Sequence, residues 1–165
     1  MMRAALFAAL AVLVAGCGFQ LRGTADLPFD TLFIPGAGSG IGLDLKRNIV
    51  SGTRTRVVDD PKLAQAVLQF TEDVREKHIL SLSGTGRVRE YQLRQRVSFR
   101  VHDGKTSEYL PVSQIVLMRD FTYNDTDVLA KEAEEAQLYR EMQYDMVQQI
   151  LRRLSAATPP KPAIQ

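Results

Sequence analysis

Between Asn124 and Thr158 the chain contains neither glycine nor proline, and Leu138, Met142, Met146, Ile150 and Leu154 recur there at every fourth residue. Apolar residues at i, i+4 and i+8 fall on one stripe of an α-helix. Ala133 and Val147 lie close to the same stripe. Asn124 to Thr126 offer capping side chains, Glu132, Glu134 and Glu135 lie toward the positive end of the helix dipole, and Arg152 and Arg153 lie near its negative end. A helix apolar on one side only needs an apolar surface to cover that side, so the rest of the chain must supply one. After Leu154 the sequence turns proline-rich, and 158–165 is expected to be a disordered tail.

That surface is legible upstream. After the turn-rich Asp59-Asp60-Pro61, three strand-like segments follow: Ala66 to Leu82, Arg89 to His102 and Tyr109 to Thr122. In the first, Leu68 and Phe70 alternate with Gln69 and Thr71, and in the third Pro111 points to an edge position or a bulge. Ser83-Gly84-Thr85-Gly86 and Asp103-Gly104-Lys105 read as the hairpin turns between them. Earlier still, Thr31–Pro35 (TLFIP) reads as a short buried strand. Gly40–Val50 reads as a helix with Ile41, Leu45 and Ile49 on one face, Ser39 at its N-cap and Gly52 as its stop. The order β-α-β-β-β-α predicts an α+β two-layer sandwich. A strand–helix–strand start implies a right-handed parallel crossover, and the meander after it is antiparallel. The expected sheet is mixed and four-stranded, with both helices on one face and the other face left uncovered.

Chemistry is sparse. One cysteine makes no internal disulfide and no zinc knuckle, and His78 and His102 are too few for most histidine-built metal sites. Gly36-Ala37-Gly38-Ser39-Gly40-Ile41-Gly42 lies between a strand and a helix. A dinucleotide fingerprint would need its third glycine where Ile41 or Leu43 stands, so the stretch reads as a flexible connector. No nucleophile elbow or His-Glu-x-x-His motif occurs. Asp59-Asp60 and Glu134-Glu135 are neighbours whose side chains diverge. No catalytic, cofactor or metal site is expected. A net charge of +2 forces no nucleic-acid reading.

The first sixteen residues stand apart. Arg3 forms a short positive region, Ala4–Val14 an apolar run of eleven residues, and Ala15-Gly16 precede Cys17. This is the layout of a secretory signal peptide, too short for a helical span of about 20 residues. Cleavage after a small residue, with Cys17 incidental, is the plain alternative. The order Val14-Ala15-Gly16-Cys17 resembles the bacterial lipobox, in which the cysteine is lipidated and begins the mature chain. Several acyl chains attach a protein firmly where one alone holds only marginally. Gly18 rather than Asp follows the cysteine, which under the enterobacterial sorting rule favours the outer membrane. The mature protein is then tethered and periplasm-facing, where nucleic acid is a poor candidate ligand.

The middle strand is the most basic part. Tyr91, Leu93, Val97, Phe99 and Val101 point one way, with Gln95 the single polar exception; Gln92, Arg94, Arg96, Ser98, Arg100 and His102 point the other. From Arg87 to His102 there are five arginines and one acid, Glu90. Two readings fit this pattern. One is a solvated face that keeps the sheet soluble, the other a surface whose guanidinium forks receive phosphate or carboxylate.

The mature chain also resembles the LptE family of lipopolysaccharide-assembly lipoproteins. The likeness is carried by Cys17-Gly18-Phe19-Gln20-Leu21-Arg22-Gly23, by Glu90-Tyr91-Gln92, by Arg119-Asp120-Phe121-Thr122-Tyr123-Asn124 leading into Val128-Leu129-Ala130-Lys131, and by Gln149-Ile150-Leu151-Arg152-Arg153-Leu154. The resemblance implies a single domain over 17–157 after a signal peptide at 1–16. It implies a plug inside the LptD β-barrel, paired one to one, that helps the barrel assemble and binds lipopolysaccharide. Lys131 matches the family's basic residue after Leu-Ala. The family's other basic position falls near Gly84, and here Arg87 and Arg89 are displaced along the hairpin. Arg87, Arg89, Arg94, Arg96 and Lys131 are therefore the expected contacts to lipopolysaccharide or to the barrel lumen. A lipid-anchored periplasmic binding module serving another envelope complex is the alternative.

Overall fold

The computed structural model describes residues 26–159. The expected signal peptide at 1–16, the expected lipidation site Cys17 and all of the tail beyond Pro159 lie outside the described residues. Over the rest, the structure has β1 (Thr31–Phe33), α1 (Gly40–Gly52), β2 (Arg56–Val58), a 3₁₀ turn (Pro61–Leu63), β3 (Ala66–Leu82), β4 (Val88–His102), β5 (Glu108–Thr122) and α2 (Val128–Ser155).

The fold is α+β with two helices and a mixed sheet, but the sheet has five strands rather than the four expected. Its order is β2-β1-β3-β4-β5. The additional strand is β2, which pairs parallel with β1 (Thr31 with Arg56, Phe33 with Val58). It is three residues long and carries two apolar side chains, too little for an alternating pattern to register. β1 also pairs parallel with the start of β3, through Ala66 and Val67. The meander β3-β4-β5 is antiparallel throughout.

Bulges shape the long strands. Phe70 opposes Phe99 while Glu72 opposes Ser98, so Thr71 is an extra residue in β3. Two register shifts between β4 and β5 (Phe99 with Ser113, Val101 with Leu110, His102 with Glu108) place extra residues around Pro111 on the outermost strand. Pro111 thus sits both at an edge and at a bulge, where a missing N–H is tolerated. Each hairpin closes through a glycine with positive φ, Gly86 at +80° and Gly104 at +77°. At the second turn Asp103 Oδ1 accepts the backbone N–H groups of Lys105 (2.8 Å) and Ser107 (3.1 Å). These bonds stabilise the ionised carboxylate and lower the Asp103 pKa from its ordinary value.

Both helices cover the same face. Ile41, Leu45 and Ile49 of α1 and Met146, Val147, Ile150 and Leu154 of α2 join Leu32, Leu68, Val97, Phe99, Val101 and Ile115 of the sheet in one core. Each large aliphatic side chain so buried stabilises the fold by about 1.5–3 kcal/mol. A second cluster extends along α2 toward the far end of the meander, with Leu93, Phe121 and Met142 at its centre. The expected stripe of α2 is the buried one from Met142 onward, whereas Ala133 is exposed. Polar pairs rim the layers. Gln148 Nε2 donates to Asn48 Oδ1 (3.3 Å), Arg119 Nη2 to Asp145 Oδ2 (2.8 Å), and Tyr139 Oη to the Glu76 carbonyl (3.2 Å).

The helix ends differ from expectation in detail. Ser39 is at the N-cap of α1 without a side-chain cap bond, and Thr53 closes the other end, its N–H and hydroxyl both donating to the Ile49 carbonyl. The N-cap of α2 is Asp127, just beyond the Asn124–Thr126 group, and it too makes no side-chain cap bond. The glycine-rich connector has a packing reason. A Cβ on Gly42 would stand 3.1 Å from the Gly36 carbonyl oxygen, so α1 meets β1's exit backbone to backbone.

Candidate functional site

The sheet face away from the helices is built by the Thr71 bulge. Upstream of it, Gln69 shares this face with Arg100, whose Nε donates to Gln69 Oε1 (2.8 Å). The extra residue reverses the parity of β3, so that Glu72, Val74, Glu76 and His78 oppose Ser98, Arg96, Arg94 and Gln92. β5 completes the surface with Gln114, Val116, Met118 and Asp120. The result is a strip, polar along β3 and β4, with Val74, Val116 and Met118 between the charges.

Arg94 and Arg96 are not free cations on this strip. Arg96 Nε lies 2.8 Å from Glu72 Oε1, and Arg96 Nη2 lies 3.8 Å from Glu76 Oε1. The first distance is that of an ion pair, yet Arg96 Nε is buried and off the line of a directed hydrogen bond. Arg94 Nε is 4.0 Å from Glu76 Oε2. His78 Nε2 stands 3.4 Å from the same Glu76 oxygen. Ser98 Oγ donates to Glu72 Oε2 (3.1 Å), and Gln114 Nε2 donates to Ser98 Oγ (3.3 Å). Gln92 Nε2 donates to Asp120 Oδ1 (2.9 Å). Of the four arginines of β4, Arg94 and Arg96 are thus offset by glutamates of β3, and Arg100 by Glu108 of β5 (3.6 Å). What remains is a hydrogen-bonding surface with little net charge.

The other three predicted residues gather at the far end of the meander. There the β3–β4 hairpin, the end of β5 and the start of α2 meet. Ser83 organises the hairpin: its N–H donates to the Arg87 carbonyl (2.7 Å), and its hydroxyl accepts the Arg87 N–H (3.1 Å). Tyr123 N–H donates to the Arg89 carbonyl (2.7 Å), joining the exit of β5 to the hairpin. The Arg87 side chain is 75% exposed, with its nearest acid, Asp125, at 3.9 Å. Lys131 Nζ is more confined, donating to Glu134 Oε2 (2.8 Å) and Thr122 Oγ1 (3.2 Å) with 19% of the side chain exposed. Ser81, Leu82, Arg89, Glu90, Thr122 and Tyr123 line a shallow hollow of about 400 Å³.

The structure therefore divides the five predicted residues into two groups. Arg87 and Arg89 lie exposed at the tip, with Lys131 beside them half-buried and paired with Glu134, while Arg94 and Arg96 belong to the paired strip. Glu72 and Glu76 were not foreseen, because continuing the alternation of Leu68 and Phe70 assigns both to the helix side. Below the tip, Lys77 Nζ lies on the helix side, 4.2 Å from the Tyr91 ring centroid and beside Glu135. Tyr91 packs edge-on against Tyr123, with ring centroids 5.2 Å apart. These contacts fix Tyr91 behind the tip.

The comparisons with known proteins converge. Residues 24–154 match the family model LptE, described as lipopolysaccharide-assembly. An LPS-assembly lipoprotein LptE of Photorhabdus laumondii is 30% identical over 90% of this chain and 83% of its own length. The LptE of Yersinia enterocolitica is 34% identical over 90% of this chain and 73% of its own. Among solved structures, the solution structure of lipoprotein B from Nitrosomonas europaea superposes with a TM-score of 0.73 at 45% identity, covering 84% of this chain and 91% of that one. The crystal structure of rare lipoprotein B from Shewanella oneidensis gives 0.64 at 27% identity, covering 76% and 92%.

Proposed function

The chain belongs to the LptE family of lipopolysaccharide-assembly proteins, and from that premise we propose that it is an outer-membrane lipoprotein that plugs the LptD β-barrel. On this reading Cys17 carries the lipid, the plug pairs one to one with the barrel and helps it assemble, and the tip takes hold of lipopolysaccharide on its way to the outer leaflet.

The observation that carries the reading is the uncovered sheet face. A bilayer-facing or core-forming surface would be apolar, whereas barrel lumens are lined with polar side chains. The strip presents Glu72, Glu76, Arg94, Arg96, Ser98 and Gln114, paired among themselves and still hydrogen-bonding. Such a surface docks against a polar wall at a lower electrostatic cost than bare arginines would, because Arg94 and Arg96 carry Glu72 and Glu76 with them. The sheet also ends in long edges. β5 has no outer partner among the described residues, and β3 has none beyond Val67. Exposed edges of that length invite strand pairing, and enclosure within a barrel is one way to manage them. Among the described residues no helix is long and apolar enough to cross a membrane; on this reading the tether is the lipid on Cys17.

The described chain begins at Asp26, whose Oδ2 pairs with Arg54 Nη2 (2.6 Å) ahead of β2, and Asp30 N–H donates to Gln65 Oε1 (2.8 Å) just before β3; the tip stands at the other end of that strand. Lipid A phosphates are suited to Arg87, Arg89 and Lys131, since guanidinium and ammonium groups form charge-assisted bonds to phosphate oxygens. The test is lipopolysaccharide binding by Arg87→Glu with Lys131→Glu. We expect a loss of about tenfold or more, equivalent to about 1.4 kcal/mol. Unchanged binding would remove the tip from the ligand site.

A further inference from the structure

β5 is an outer strand of the sheet, and its free edge is open over a short, bounded stretch. Tyr123 N–H bonds to the Arg89 carbonyl (2.7 Å), and from Glu90 with Thr122 to Phe99 with Ser113 the two strands keep one-for-one register. Alternate residues of an antiparallel strand bond the same neighbour, so over this stretch the odd-numbered residues of β5 face β4. Gln114, Val116 and Met118 turn their N–H and C=O groups outward. Pro111, inside a bulge, bounds the stretch at one end, since it has no N–H to offer. Arg119 bounds it at the other, its Nη1 donating to the Met118 carbonyl (3.0 Å).

The two sides of this edge differ in chemistry. On the uncovered face Val112 and Met118 are 63% and 49% exposed, with Val116 half-buried between them. On the helix side, the flank of α2 toward β3 and α1 carries Tyr139 and Gln143, bonded to the Glu76 carbonyl and to Asp44. The opposite flank carries Gln137, Glu141 and Asp145 at every fourth residue and lies toward the β5 edge, where Asp145 pairs with Arg119 (2.8 Å). With Arg140 and Tyr144 these side chains line a groove of about 410 Å³. Arg140 and Glu141 make no ion pair among the described residues. Each bonds the neutral amide of Gln137 (Arg140 Nη2 to Oε1, 2.7 Å; Nε2 to Glu141 Oε1, 2.9 Å).

We infer that this edge receives an extended strand from a partner protein, one that alternates apolar and polar side chains. Its backbone bonds Gln114, Val116 and the Met118 N–H. Its apolar side chains continue the row of Val112, Val116 and Met118, and its polar ones enter the groove, with charges that match Arg140 and Glu141. A helix laid here would leave the outward N–H and C=O groups unpaired, whereas an added strand satisfies them. A strand apolar on both sides would bury Arg140 and Glu141 without partners, at a cost that opposite charges offset. The inference goes beyond the function proposed above and does not depend on it.

The test uses the chain from residue 17 onward with Cys17→Ser, followed by amide and methyl NMR. The probe is the capped peptide Thr-Val-Glu-Val-Lys-Val-Thr, which sets three valines on one side of a strand and its polar residues on the other. It should shift the Gln114, Val116 and Met118 signals and slow amide exchange at Gln114 and Val116. Two N-methylated peptides, one methylated at the valines and the other at the polar residues, should behave oppositely. The set whose N–H groups face β5 should lose binding, and the other set should keep it. Arg140→Ala with Glu141→Ala should weaken binding about tenfold, with the Val101 and Ile115 signals reporting an intact core.

No shift at Gln114 and Val116 would overturn the inference, as would equal binding by the two methylated peptides. Equal binding of a peptide with valine in place of its Glu and Lys would overturn the polar half. Shifts at Gln114 and Val116 that grow with protein concentration, without peptide, would place a second copy of this chain at the edge and overturn the assignment to a partner.

Discussion

Among the described residues Gln95 is the fully buried polar side chain whose amide finds no partner, and replacing it should stabilise the protein. It lies at the middle of β4 on the helix side, cross-strand from Arg75 and Leu117, and is 0% exposed. Neither Oε1 nor Nε2 has a hydrogen-bond partner. A buried donor or acceptor left unpaired costs about 1–3 kcal/mol. Gln95→Met keeps the length of the side chain, removes both polar atoms and fills irregular space well. It should raise stability by about 1–3 kcal/mol by that reckoning, and a domain of this size gains about 2–4 °C in Tm per kcal/mol. Chemical denaturation gives the check: the midpoint should rise with an unchanged m-value. Gln95→Ala also removes the amide but opens a cavity, so it should fall below the Met variant. Because Gln95 faces the helices, neither change should alter binding at the strip or the tip. A loss of more than about 1 kcal/mol in the Met variant would show that the amide is hydrogen-bonded in the folded protein, an enclosed water included.

Two further predictions concern the strip and the β4–β5 turn. A double-mutant cycle on Glu72→Ala and Arg96→Ala should return a coupling of about 0.5–1 kcal/mol, since both side chains keep roughly 30% exposure and solvent screens the pair; a coupling of zero would mean that the strip is not locally neutralised. The lowered pKa of Asp103 makes its contribution complete above the ordinary aspartate value of about 3.9 and lost as pH falls through the lower folded value. Amide exchange at Lys105 and Ser107 should therefore accelerate, relative to neighbouring loops, only below about pH 4; the same pH dependence in Asp103→Asn would contradict that assignment.

The strands and helices that were legible in the sequence are those with long, regular patterns. β3, β4, β5 and α2 are each 15 residues or longer, so a period of two or of about four repeats enough to be seen. β2 was missed because three residues carry no period, and parallel pairing to β1 is what makes it a strand. The site was legible in composition and not in balance. Arginines on alternate residues of β4 were correctly assigned to the uncovered face. The carboxylate partners of Arg94 and Arg96 come from β3, and only the Thr71 bulge turns Glu72 and Glu76 toward them. Nothing in the local alternation of Leu68 and Phe70 announces an extra residue, since the bulge is set by pairing with β4. Lys131 shows the same limit: its place at the tip depends on α2 folding back to Thr122, a contact between elements.

If the paired strip docks within the LptD barrel while the tip meets the ligand, co-purification with the detergent-solubilised barrel will register it. The lipidated chain should bring down LptD in about equal amount. Glu72→Lys with Glu76→Lys, which leaves Arg94 and Arg96 unpaired on the strip, should sharply reduce that yield, whereas Arg87→Glu with Lys131→Glu should retain it. Failure of the unaltered chain to retain LptD, or retention unaffected by the strip variant, would mean that the strip does not dock in the barrel.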